Sequence, residues 1–536
     1  MCTSVKNKDS GQCKDTVQLA KNLCWKFLRC MIVHLHSLFD CFVDFAFGLY
    51  YDNKAKKVPP VKNNLLLESA VSLAEKIRTK KVSSEEVVRT YIERCKEVNG
   101  LINAIVQDRY DDAIKEAKAV DDIIEKSTDP EKLKVTQPFL GVPFTTKESN
   151  RAKGLIHSMG LLCRRNCRAE EDATTIRYFK EAGAILIAKT NIPELNQWVE
   201  SRNNLYGQTN NPYNTSRTVG GSSGGDSAIV SASGVPIAVG SDIGGSTRIP
   251  AFCNGLFGHK PSEGLTPVAG IGLRDIDYPS TMVAVGPICR KTEDLIPSMK
   301  VLIGPNVSKV RLDEPVNVKN LKVYYQANSC DLRTSKVSGA MQAALMKAVA
   351  HFKELTGFAE KIKVPGSEYS FRLWRYWMTR EDINFKLDLT DRKYVTSATR
   401  EVFNLLTGNS QLTLAALIKL IDADYFPQEN AEWAKSVTGK AKQFLLETLS
   451  DDGVLFYPSS PTTAGYHYSP FLKPYNFGYT ALFNVLRFPT CQVPLGLDEQ
   501  GVPVGIQVIA APYNDHLCFA VAKELEAAFG GWVPPS

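Results

Sequence analysis

Two serine clusters set among glycines occupy the middle of the sequence. Ser222 lies in "VGGSSGGDS" and Ser246 lies in "DIGGSTRIP", 24 residues further on. Glycine lets backbone N–H groups approach a ligand closely, because it has no Cβ and tolerates positive φ. A ligand met by bare N–H groups is an anion, or an oxygen that becomes one during a reaction. The pattern therefore points either to a phosphate site or to a serine nucleophile beside an oxyanion hole.

Phosphate-binding motifs fit this stretch poorly. A Walker loop reads G-x-x-x-x-G-K-[ST], whereas "GGSSGGDSAIV" has Asp226 where the lysine should stand. The stretch matches neither the dinucleotide motif G-x-G-x-x-G nor the G-x-S-x-G nucleophile elbow. The two serines are therefore candidates for nucleophilic chemistry.

A serine nucleophile needs a base to take its proton. Of the seven histidines, only His157 and His259 lie near these motifs, and "FGHKPS" predicts a turn in which His259 has a structural role. The alternative base is a buried lysine, because burial disfavours the ammonium and frees neutral amine near pH 7. Lys147 follows the apolar run of "GVPFTTKES". Taken alone it is an ordinary surface lysine; beside the serine loops it is a candidate base.

Short apolar runs and helical segments alternate around these residues. "FLGVPFTTKES", "GAILIAKTN" and "GVPIAVGSDIGG" predict buried strands, and "DATTIRYFKEAG" predicts a helix that ends at Gly183. Later runs of the same kind are "DGVLFYPSSPT", "PTCQVPLGL" and "VPVGIQVIAA". This alternation predicts an α/β sheet covered by helices.

A polar linker divides the chain. Helical patterns at 65–80, 84–98 and 109–127 follow "AKKVPPVKNN", and Ser83 with Glu86 forms a capping box for the second of them. The predicted organisation is an N-terminal tail (1–26), a hydrophobic segment (27–50), a linker (51–64) and one catalytic domain (65–536).

The hydrophobic segment 27–50 is long enough to cross a bilayer. Arg29, His36, Asp40 and Asp44 recur at intervals of four and seven, so they share one helical stripe. At mid-span each Asp would cost about 2.5–3.5 kcal/mol. We expect a helix in the membrane interface or a spanning helix whose stripe meets a partner, with packing on the globular domain as the alternative. The opposite side carries Phe27, Met31, Leu35, Leu38, Phe42, Phe45 and Leu49.

A second apolar region lies at 402–426, where two helical segments are broken at Gly408-Asn409. It is either a helical hairpin that covers the sheet or the lip of a hydrophobic channel in contact with a membrane.

Composition and charge narrow the class of protein. The 536 residues are 44% hydrophobic and 23% charged, which is ordinary for a folded protein with a large core. The formal charge of +7 is spread along the chain, so no nucleic-acid partner is expected. Among thirteen cysteines, Cys163 and Cys167 form one close pair without a second, which favours free thiols in a reducing, intracellular compartment.

Six motifs, in this order, resemble the amidase signature family: "GVPFTTKES", "GAILIAKTN", "YGQTNNPYN", "VGGSSGGDSA", "GSDIGGSTRIPAFCNGLFGHKPS" and "GVPVGIQVIA". The resemblance covers about 65–530 and is nearest to the branch that hydrolyses fatty-acid amides. It implies an α/β amidase-signature fold, a large mixed twisted β-sheet covered by helices on both faces, preceded here by the membrane-associating helix. It also implies a triad of Lys147, a cis-configured Ser222 and the nucleophile Ser246.

The same resemblance assigns supporting roles around the nucleophile. The backbone N–H groups of Ile243, Gly244, Gly245 and Ser246 are expected to face the oxyanion. The glycines are expected to keep side chains out of the way of the substrate carbonyl. Loop support is expected from Asp242 and Arg248, through charge-assisted hydrogen bonds, and from Ser223, hydrogen-bonded near Lys147.

The resemblance implies hydrolysis of the amide bond of long-chain fatty-acid amides, such as acyl-ethanolamides and primary fatty amides, without a metal or organic cofactor. The expected partners are a lipid amide and a membrane surface, and a homodimer is left open. A glutamine-amidating relative would share the triad but would not explain the apolar segments. Two alternatives remain, an amidase or esterase for small or xenobiotic amides, and a non-catalytic lipid-binding relative.

Overall fold

One mixed β-sheet of eleven strands forms the centre of the protein. The computed structural model describes residues 9–127, 129–278, 280–381 and 383–535. In chain order the strands are β1 (Ile105–Asp108), β2 (Pro143–Lys147), β3 (Ile185–Thr190), β4 (Arg202–Asn203), β5 (Gly207–Gln208), β6 (Ile237–Asp242), β7 (Phe257–Lys260), β8 (Ala284–Cys289), β9 (Lys322–Tyr325), β10 (Ala359–Lys361), β11 (Gly453–Pro458), β12 (Thr490–Leu497) and β13 (Pro503–Ala510). Strands β4 and β5 pair only with each other.

The strand order in the large sheet is β1-β3-β2-β6-β8-β7-β12-β13-β11-β9-β10. Strands β3, β2 and β6 are parallel neighbours, the middle of the sheet from β6 to β11 is antiparallel, and β11, β9 and β10 are parallel. Every residue of β2, β3, β6, β8, β11 and β13 is buried. These strands read as apolar runs because both faces of the sheet are covered.

The described residues form seventeen α-helices. They are α1 (Asp9–Tyr51), α2 (Ala70–Arg78), α3 (Ser84–Ile102), α4 (Tyr110–Lys126), α5 (Pro130–Thr136), α6 (Thr174–Glu181), α7 (Gly224–Ser231), α8 (Arg248–Cys253), α9 (Leu295–Ile303), α10 (Gly339–Thr356), α11 (Ser370–Met378), α12 (Phe385–Asp388), α13 (Ala398–Leu406), α14 (Leu414–Tyr425), α15 (Ala431–Leu449), α16 (Gly478–Leu486) and α17 (Asp515–Phe529).

Helix caps explain where the predicted helices begin. The helix predicted at 65–80 starts only at Ala70, because the Ser69 side chain accepts the Ser72 N–H and the chain before it forms a 3₁₀ turn. The Ser83 cap is confirmed, since its Oγ accepts the Glu86 N–H at 3.0 Å. The predicted pair of helices at 402–426 is confirmed as α13 and α14.

The hydrophobic segment lies within α1, which begins at Asp9, inside the stretch predicted as a tail; residues 1–8 lie outside the described part of the chain. The polar stripe of α1 faces the globular body, where Lys473 Nζ donates to Asp44 Oδ1 at 2.7 Å. The opposite, apolar side is exposed. After a short 3₁₀ turn at Asp52–Lys54, an extended segment leads to the body.

Candidate active site

Lys147 stands at the carboxyl end of β2, beside the end of the parallel strand β6. Its side chain is fully buried, and its Nζ donates to Ser222 Oγ at 2.8 Å and to Ser241 Oγ at 3.1 Å. Burial lowers the pKa of Lys147 far below its ordinary value, although the carboxylates of Asp226 and Asp242 favour the charged amine. The neutral amine that a base requires therefore forms much more readily here than on an exposed lysine.

The two serines line one small cavity of about 50 Å³. Ser222 precedes α7 and is fully buried, and the Gly221–Ser222 peptide bond is cis. Ser246 follows β6 and is 9% exposed, so a substrate can reach it. Within the described part of the chain, no hydrogen bond joins Ser246 Oγ to Ser222. Lys147, Ser222 and Ser246 thus form a series that runs from the interior to the cavity.

The loop from Ile243 to Ser246 supplies backbone donors. Among the described residues, no protein group accepts a hydrogen bond from the N–H of Ile243, Gly244 or Ser246. Gly245 differs from the expectation, because its N–H donates to Asp242 Oδ1 at 2.7 Å. Three N–H groups, rather than four, therefore remain for an oxyanion.

Asp242 and Arg248 hold the loop as a fully buried ion pair. Arg248 Nε donates to Asp242 Oδ2 at 3.0 Å, and Arg248 Nη2 donates to Asp242 Oδ1 at 3.1 Å. Burial alone would raise the pKa of Asp242, but the guanidinium and the hydrogen bonds from Arg248 and Asn484 hold it well below its ordinary value. The guanidinium also donates to Gln507 Oε1 at 2.6 Å and to the Thr480 carbonyl at 3.0 Å. The pair anchors the loop from Ile243 to Ser246 to α16 and β13.

The glycines of this loop are required by packing. A Cβ on Gly245, whose φ is +121°, would lie 2.1 Å from Thr480 Oγ1, and one on Gly244 would lie 2.9 Å from Trp374 Nε1. Trp374 Nε1 donates to the Ile243 carbonyl at 2.9 Å, and Thr480 Oγ1 donates to the Gly244 carbonyl at 2.8 Å. Because α11 and α16 pack directly on the loop, the neighbouring protein itself excludes a side chain at both glycines.

Ser223 does not make the predicted side-chain hydrogen bond near Lys147. Its Oγ is buried without a partner, whereas its N–H donates to the Ser246 carbonyl at 3.1 Å. The backbone before α7 directs the Ser223 N–H toward the loop that carries Ser246, and the hydroxyl does not take part in this contact. Ser223 therefore links the two serine loops through its backbone.

Sequence reasoning missed several groups around Lys147. Ser241 accepts a hydrogen bond from Lys147, and its only signal was its place one residue before Asp242 in a buried strand. Asp226 is fully buried in the first turn of α7, where it accepts hydrogen bonds from the hydroxyls of Thr145 and Thr190. Burial raises the pKa of Asp226, which those hydrogen bonds and Lys147 oppose.

Neither candidate histidine lies at the serines. His259 lies in β7, so the predicted turn was wrong; the segment pairs with β8 and β12 instead. Its Nε2 hydrogen bonds with Asp515 Oδ1 at 2.9 Å. Burial lowers the pKa of His157 to about 3. Among the described residues, no histidine lines the cavity at Ser246, and no group of three His, Cys, Asp or Glu side chains could hold a metal ion.

A larger cavity of about 930 Å³ lies behind the serine loops, where Gly220 and Ile249 form part of its lining. Phe477 also lines it, and its ring packs edge-to-face on Trp374 with the ring centroids 4.9 Å apart. Trp374 also donates to the carbonyl of Ile243, which lines the small cavity, so contacts through this aromatic pair connect the linings of the two cavities.

The comparisons with known proteins agree with this architecture. The family model "Amidase" matches residues 86–519. Human "Fatty-acid amide hydrolase 2" is 42% identical over 493 residues, which cover 90% of this chain and 93% of the relative. "Fatty-acid amide hydrolase 2-A" of Danio rerio is 40% identical, with 89% and 92% covered.

Solved structures show the same fold at lower identity. A structure described as "Fatty acid amide hydrolase" has a TM-score of 0.67 at 22% identity, covering 88% of this chain and 86% of its own. A bacterial aryl acylamidase of the amidase signature enzymes has a TM-score of 0.69 at 22% identity, with 86% and 96% covered. The expected fold, a large mixed sheet covered by helices, is confirmed. The chain belongs to the amidase signature family, and it is an amide-hydrolysing enzyme.

Proposed function

We propose that the protein hydrolyses fatty-acid amides through an acyl-enzyme on Ser246, with Ser222 and Lys147 as its proton relay. The observation that carries this proposal is the buried hydrogen bond from Lys147 to Ser222, beside the cavity that also holds Ser246. A serine at a cavity with a buried, easily deprotonated lysine behind it has the parts of an activated nucleophile.

The first half of the reaction forms the acyl-enzyme. Neutral Lys147 takes the proton of Ser222, Ser222 takes that of Ser246, and Ser246 Oγ bonds to the amide carbon while the carbonyl oxygen becomes an oxyanion. The Ser222–Ser246 contact, absent in this structure, would form when substrate binds, as catalytic hydrogen bonds often tighten only in the complex. The proton then returns through Ser222 to the amide nitrogen, the C–N bond breaks, and the amine leaves.

The second half releases the acid. Water gives a proton to Ser222, which passes one to Lys147, and the water oxygen bonds to the acyl carbon. The ester bond to Ser246 then breaks as its oxygen regains a proton through Ser222. In both halves the free N–H groups of Ile243, Gly244 and Ser246 stabilise the oxyanion, and each such donor is worth about 2.7–4 kcal/mol in other enzymes.

The fatty-acid part of the proposal has two supports. Relatives at 40–42% identity carry the name fatty-acid amide hydrolase 2. The chain also has apolar surface suited to a lipid substrate: α13 exposes Phe403 and Leu406, and α14 exposes Leu414 and Tyr425. Each buried CH₂ of an acyl chain contributes about 0.8 kcal/mol, so apolar surface of this kind favours the binding of long-chain substrates.

A second candidate function is an amidase or esterase for small amides. The observation that favours it is the cavity of about 50 Å³ at Ser246, since drug-sized ligands occupy about 300–1,000 Å³. A long acyl chain therefore requires the small cavity to join the cavity of about 930 Å³ that Phe477 lines.

We also propose that the enzyme is an intracellular protein that associates with membranes through residues 27–50. The C-terminal part of α1 with the 3₁₀ turn that follows it, Phe27–Lys54, contains a stretch long and apolar enough to cross a membrane. This stretch has a mean hydropathy of 1.5, and the rest of the protein buries only 11% of it. A helix of this length and exposure is suited to a lipid environment.

The deciding experiment is hydrolysis of an acyl chain-length series of primary amides and ethanolamides by the purified protein in detergent, beside Ser246→Ala. We expect activity that rises with chain length and disappears in the variant. Activity that stays flat across the series would favour the small-amide enzyme. Activity that survives in Ser246→Ala would remove the proposed nucleophile.

A further inference from the structure

We propose that α1 is a docked, one-leaflet anchor: its polar stripe binds the catalytic body, and its apolar face inserts into a single leaflet, so that the helix does not cross the membrane. This inference rests on the membrane association proposed above. It decides between the two topologies that the sequence leaves open.

The first half of the stripe contacts the segment after β9. Arg29 Nη2 donates to the Cys330 carbonyl at 3.2 Å. Two helical turns further on, His36 Nδ1 hydrogen bonds with the Leu332 carbonyl at 3.2 Å. Asp40 is buried, and its Oδ1 lies 3.7 Å from His36 Nε2. The first half of the stripe thus contacts the backbone carbonyls of the segment that follows β9.

The second half of the stripe is held by a charge and by the end of the helix. Lys473, whose side chain is only 7% exposed, pairs with Asp44. The Tyr51 carbonyl accepts from Ser216 Oγ at 2.9 Å, and the rings of Tyr51 and Tyr466 stack with centroids 5.9 Å apart. Contacts therefore run along the helix from Arg29 to Tyr51.

A spanning α1 would lose these contacts. Asp40 and Asp44 would enter lipid at a cost of about 2.5–3.5 kcal/mol each near mid-span. Lys473 would remain in the body as a mostly buried ammonium without its carboxylate, which is itself unfavourable. The docked arrangement avoids both costs, because Arg29, His36 and Asp44 bond to the body. Asp40 stays beside His36 on the protein side of the helix.

The apolar face has the chemistry of a helix that lies in a leaflet. Its seven large side chains are exposed by 43–72% along the whole segment: Phe27, Met31, Leu35, Leu38, Phe42, Phe45 and Leu49. At the end of the helix, Lys54 lies over the Tyr50 ring at 3.3 Å, and Lys54, Lys56 and Lys57 are exposed. Basic residues at an interface attract anionic headgroups by about 1 kcal/mol each. Apolar area and this charge together favour a bilayer surface over a second copy of the chain.

Docking is tested without any membrane. A full-length chain carries an affinity tag before Met1 and a protease site between Lys62 and Asn63, which are exposed. After cleavage in detergent, we expect residues 63–536 to co-purify with the tagged fragment. Asp44→Lys should reduce this retention severalfold, and the charge swap Asp44→Lys/Lys473→Asp should restore it.

Two results would overturn docking. One is release of the body from the wild-type fragment on cleavage. The other is equal retention in the wild type, Asp44→Lys and the charge swap, which would assign the retention to the linker, where Lys56 and Val58 bond the body through their backbones.

Topology is tested by glycosylation acceptors placed before Met1 and after Ser536 in a chain synthesised with microsomes. We expect neither end to be glycosylated while the protein floats with the membranes. Replacement of residues 27–50 by leucines is the positive control for crossing. Glycosylation of one end of the wild type would overturn the one-leaflet anchor. Failure to float, with a dimer in solution, would assign the apolar face to a second copy and also overturn it.

These outcomes separate from those of the proposed function. An enzyme that hydrolyses long-chain amides in detergent but does not float contradicts the anchor alone. A protein that floats with α1 docked but acts only on small amides contradicts the fatty-acid assignment alone.

Discussion

Two buried ionisable groups near Ser246 have opposite electrostatic surroundings. Burial lowers the pKa of Lys147, so this lysine readily exists as a neutral amine. Asp242, equally buried, is paired with Arg248, which holds its pKa low and keeps it ionised. These surroundings suit Lys147 to the proton transfer proposed above and Asp242 to a fixed structural charge.

Lys147 predicts the pH dependence of the enzyme. The active form contains the neutral amine, so kcat/KM should rise with pH through the lowered pKa of Lys147 and reach its plateau well below 10.5, the ordinary value. Lys147→Met should lower kcat by about 10²–10⁴-fold, as loss of a general base does. The measurement is a pH–rate profile with an uncharged amide.

Lys189→Met is the matched control for Lys147, because Lys189 is equally buried in β3 but donates to the Asn150 carbonyl, whereas Lys147 donates to Ser222. An activity that begins to rise only near pH 10, or an equal loss of rate in both variants, would contradict the role of Lys147 as base.

Asp242→Asn should destabilise the fold. The substitution leaves the Arg248 guanidinium buried without its carboxylate, which typically costs about 3–5 kcal/mol. Because the folded-state pKa lies below that of the unfolded chain, this stabilisation is present above about pH 4 and is lost only as the pH falls toward the folded value. Urea unfolding of both proteins at neutral and acid pH measures it.

Asp294→Asn is the control for Asp242, because Asp294 is a buried carboxylate that accepts the N–H groups of Ala70 and Val71 at the start of α2 and has its pKa raised to about 7, mainly by burial. A loss of stability no larger in Asp242→Asn than in Asp294→Asn would contradict the importance of the ion pair.

Helices α11 and α16 fix the shape of the loop from Ile243 to Ser246. Trp374 donates a hydrogen bond to the Ile243 carbonyl and Thr480 donates one to the Gly244 carbonyl, so the two helices fix the orientation of these two peptide groups. The sheet supplies the other half of this arrangement, since β2 and β6 are parallel and β6 runs on past the end of β2 at Lys147, which brings Ser241 to the Lys147 amine.

Gly245→Ala tests how tightly the loop is packed. Its Cβ would lie 2.1 Å from Thr480 Oγ1 and 2.6 Å from Thr480 Cβ, so loop or helix must move. We expect a loss of more than about 1–3 kcal/mol in the free energy of unfolding, together with a large fall in kcat. Gly264→Ala is the control, since Gly264 has φ of +70° but open space around it. Equal effects would show that backbone strain, and not packing, fixes the glycine.

Phe477→Ala should connect the two cavities. Removal of the Phe477 ring, which lines the larger cavity and packs on Trp374, should open a passage toward the small cavity. The ratio of kcat/KM for long-chain over short-chain amides should then rise severalfold, because each additional buried CH₂ contributes about 0.8 kcal/mol. Phe471→Ala is the control, because that ring stacks on Trp198 and lines neither cavity. An unchanged ratio would place the acyl chain elsewhere.

Local patterns predicted much of this fold. Apolar runs bounded by glycine and proline located β2, β3 and β6, and Ser83 located the start of α3. The end of β2 made Lys147 a candidate, and the spacing of the serine clusters made Ser222 and Ser246 candidates. Each of these signals is carried within a few residues of chain.

Contacts between distant segments could not be predicted in the same way. Trp374 meets Ile243 across 131 residues, and Asn484 meets Asp242 across 242 residues. The hydrogen bond from the Gly245 N–H to Asp242 forms because the loop folds back onto the carboxylate that precedes it. The periodicity of the sequence carries no information about such a fold. His259 was misplaced because Gly258 and Pro261 resemble turn residues, whereas sheet pairing decides their conformation.

At the scale of the whole molecule, α1 adds a surface that the catalytic body lacks. Its polar stripe bonds to the body, and the large apolar side chains from Phe27 to Leu49 are exposed on its outer face. The amphipathic pattern of residues 27–50 was legible in the sequence. Which side would meet the protein required the structure.

Removal of α1 should separate membrane binding from catalysis. A chain without residues 1–55 should no longer float with vesicles of phosphatidylcholine and an anionic phospholipid, yet should hydrolyse amides in detergent. Leu38→Ser/Phe42→Ser, on the exposed face, should weaken flotation while preserving the polar stripe, because each burial contributes about 1.5–3 kcal/mol. Undiminished flotation of the truncated chain would shift the anchor to 402–426 or elsewhere.

The partners of α1 are synthesised long after the helix itself. Lys473 follows Asp44 by 429 residues, and Cys330 follows Arg29 by 301. At about 5–20 residues per second, a nascent α1 waits about 20–90 s before its receptor is complete. During that interval the helix is exposed to chaperones and lipid surfaces with both of its sides uncovered. Whether the enzyme reaches a membrane before or after its own body closes on the helix is therefore a kinetic competition, set by the speed of translation.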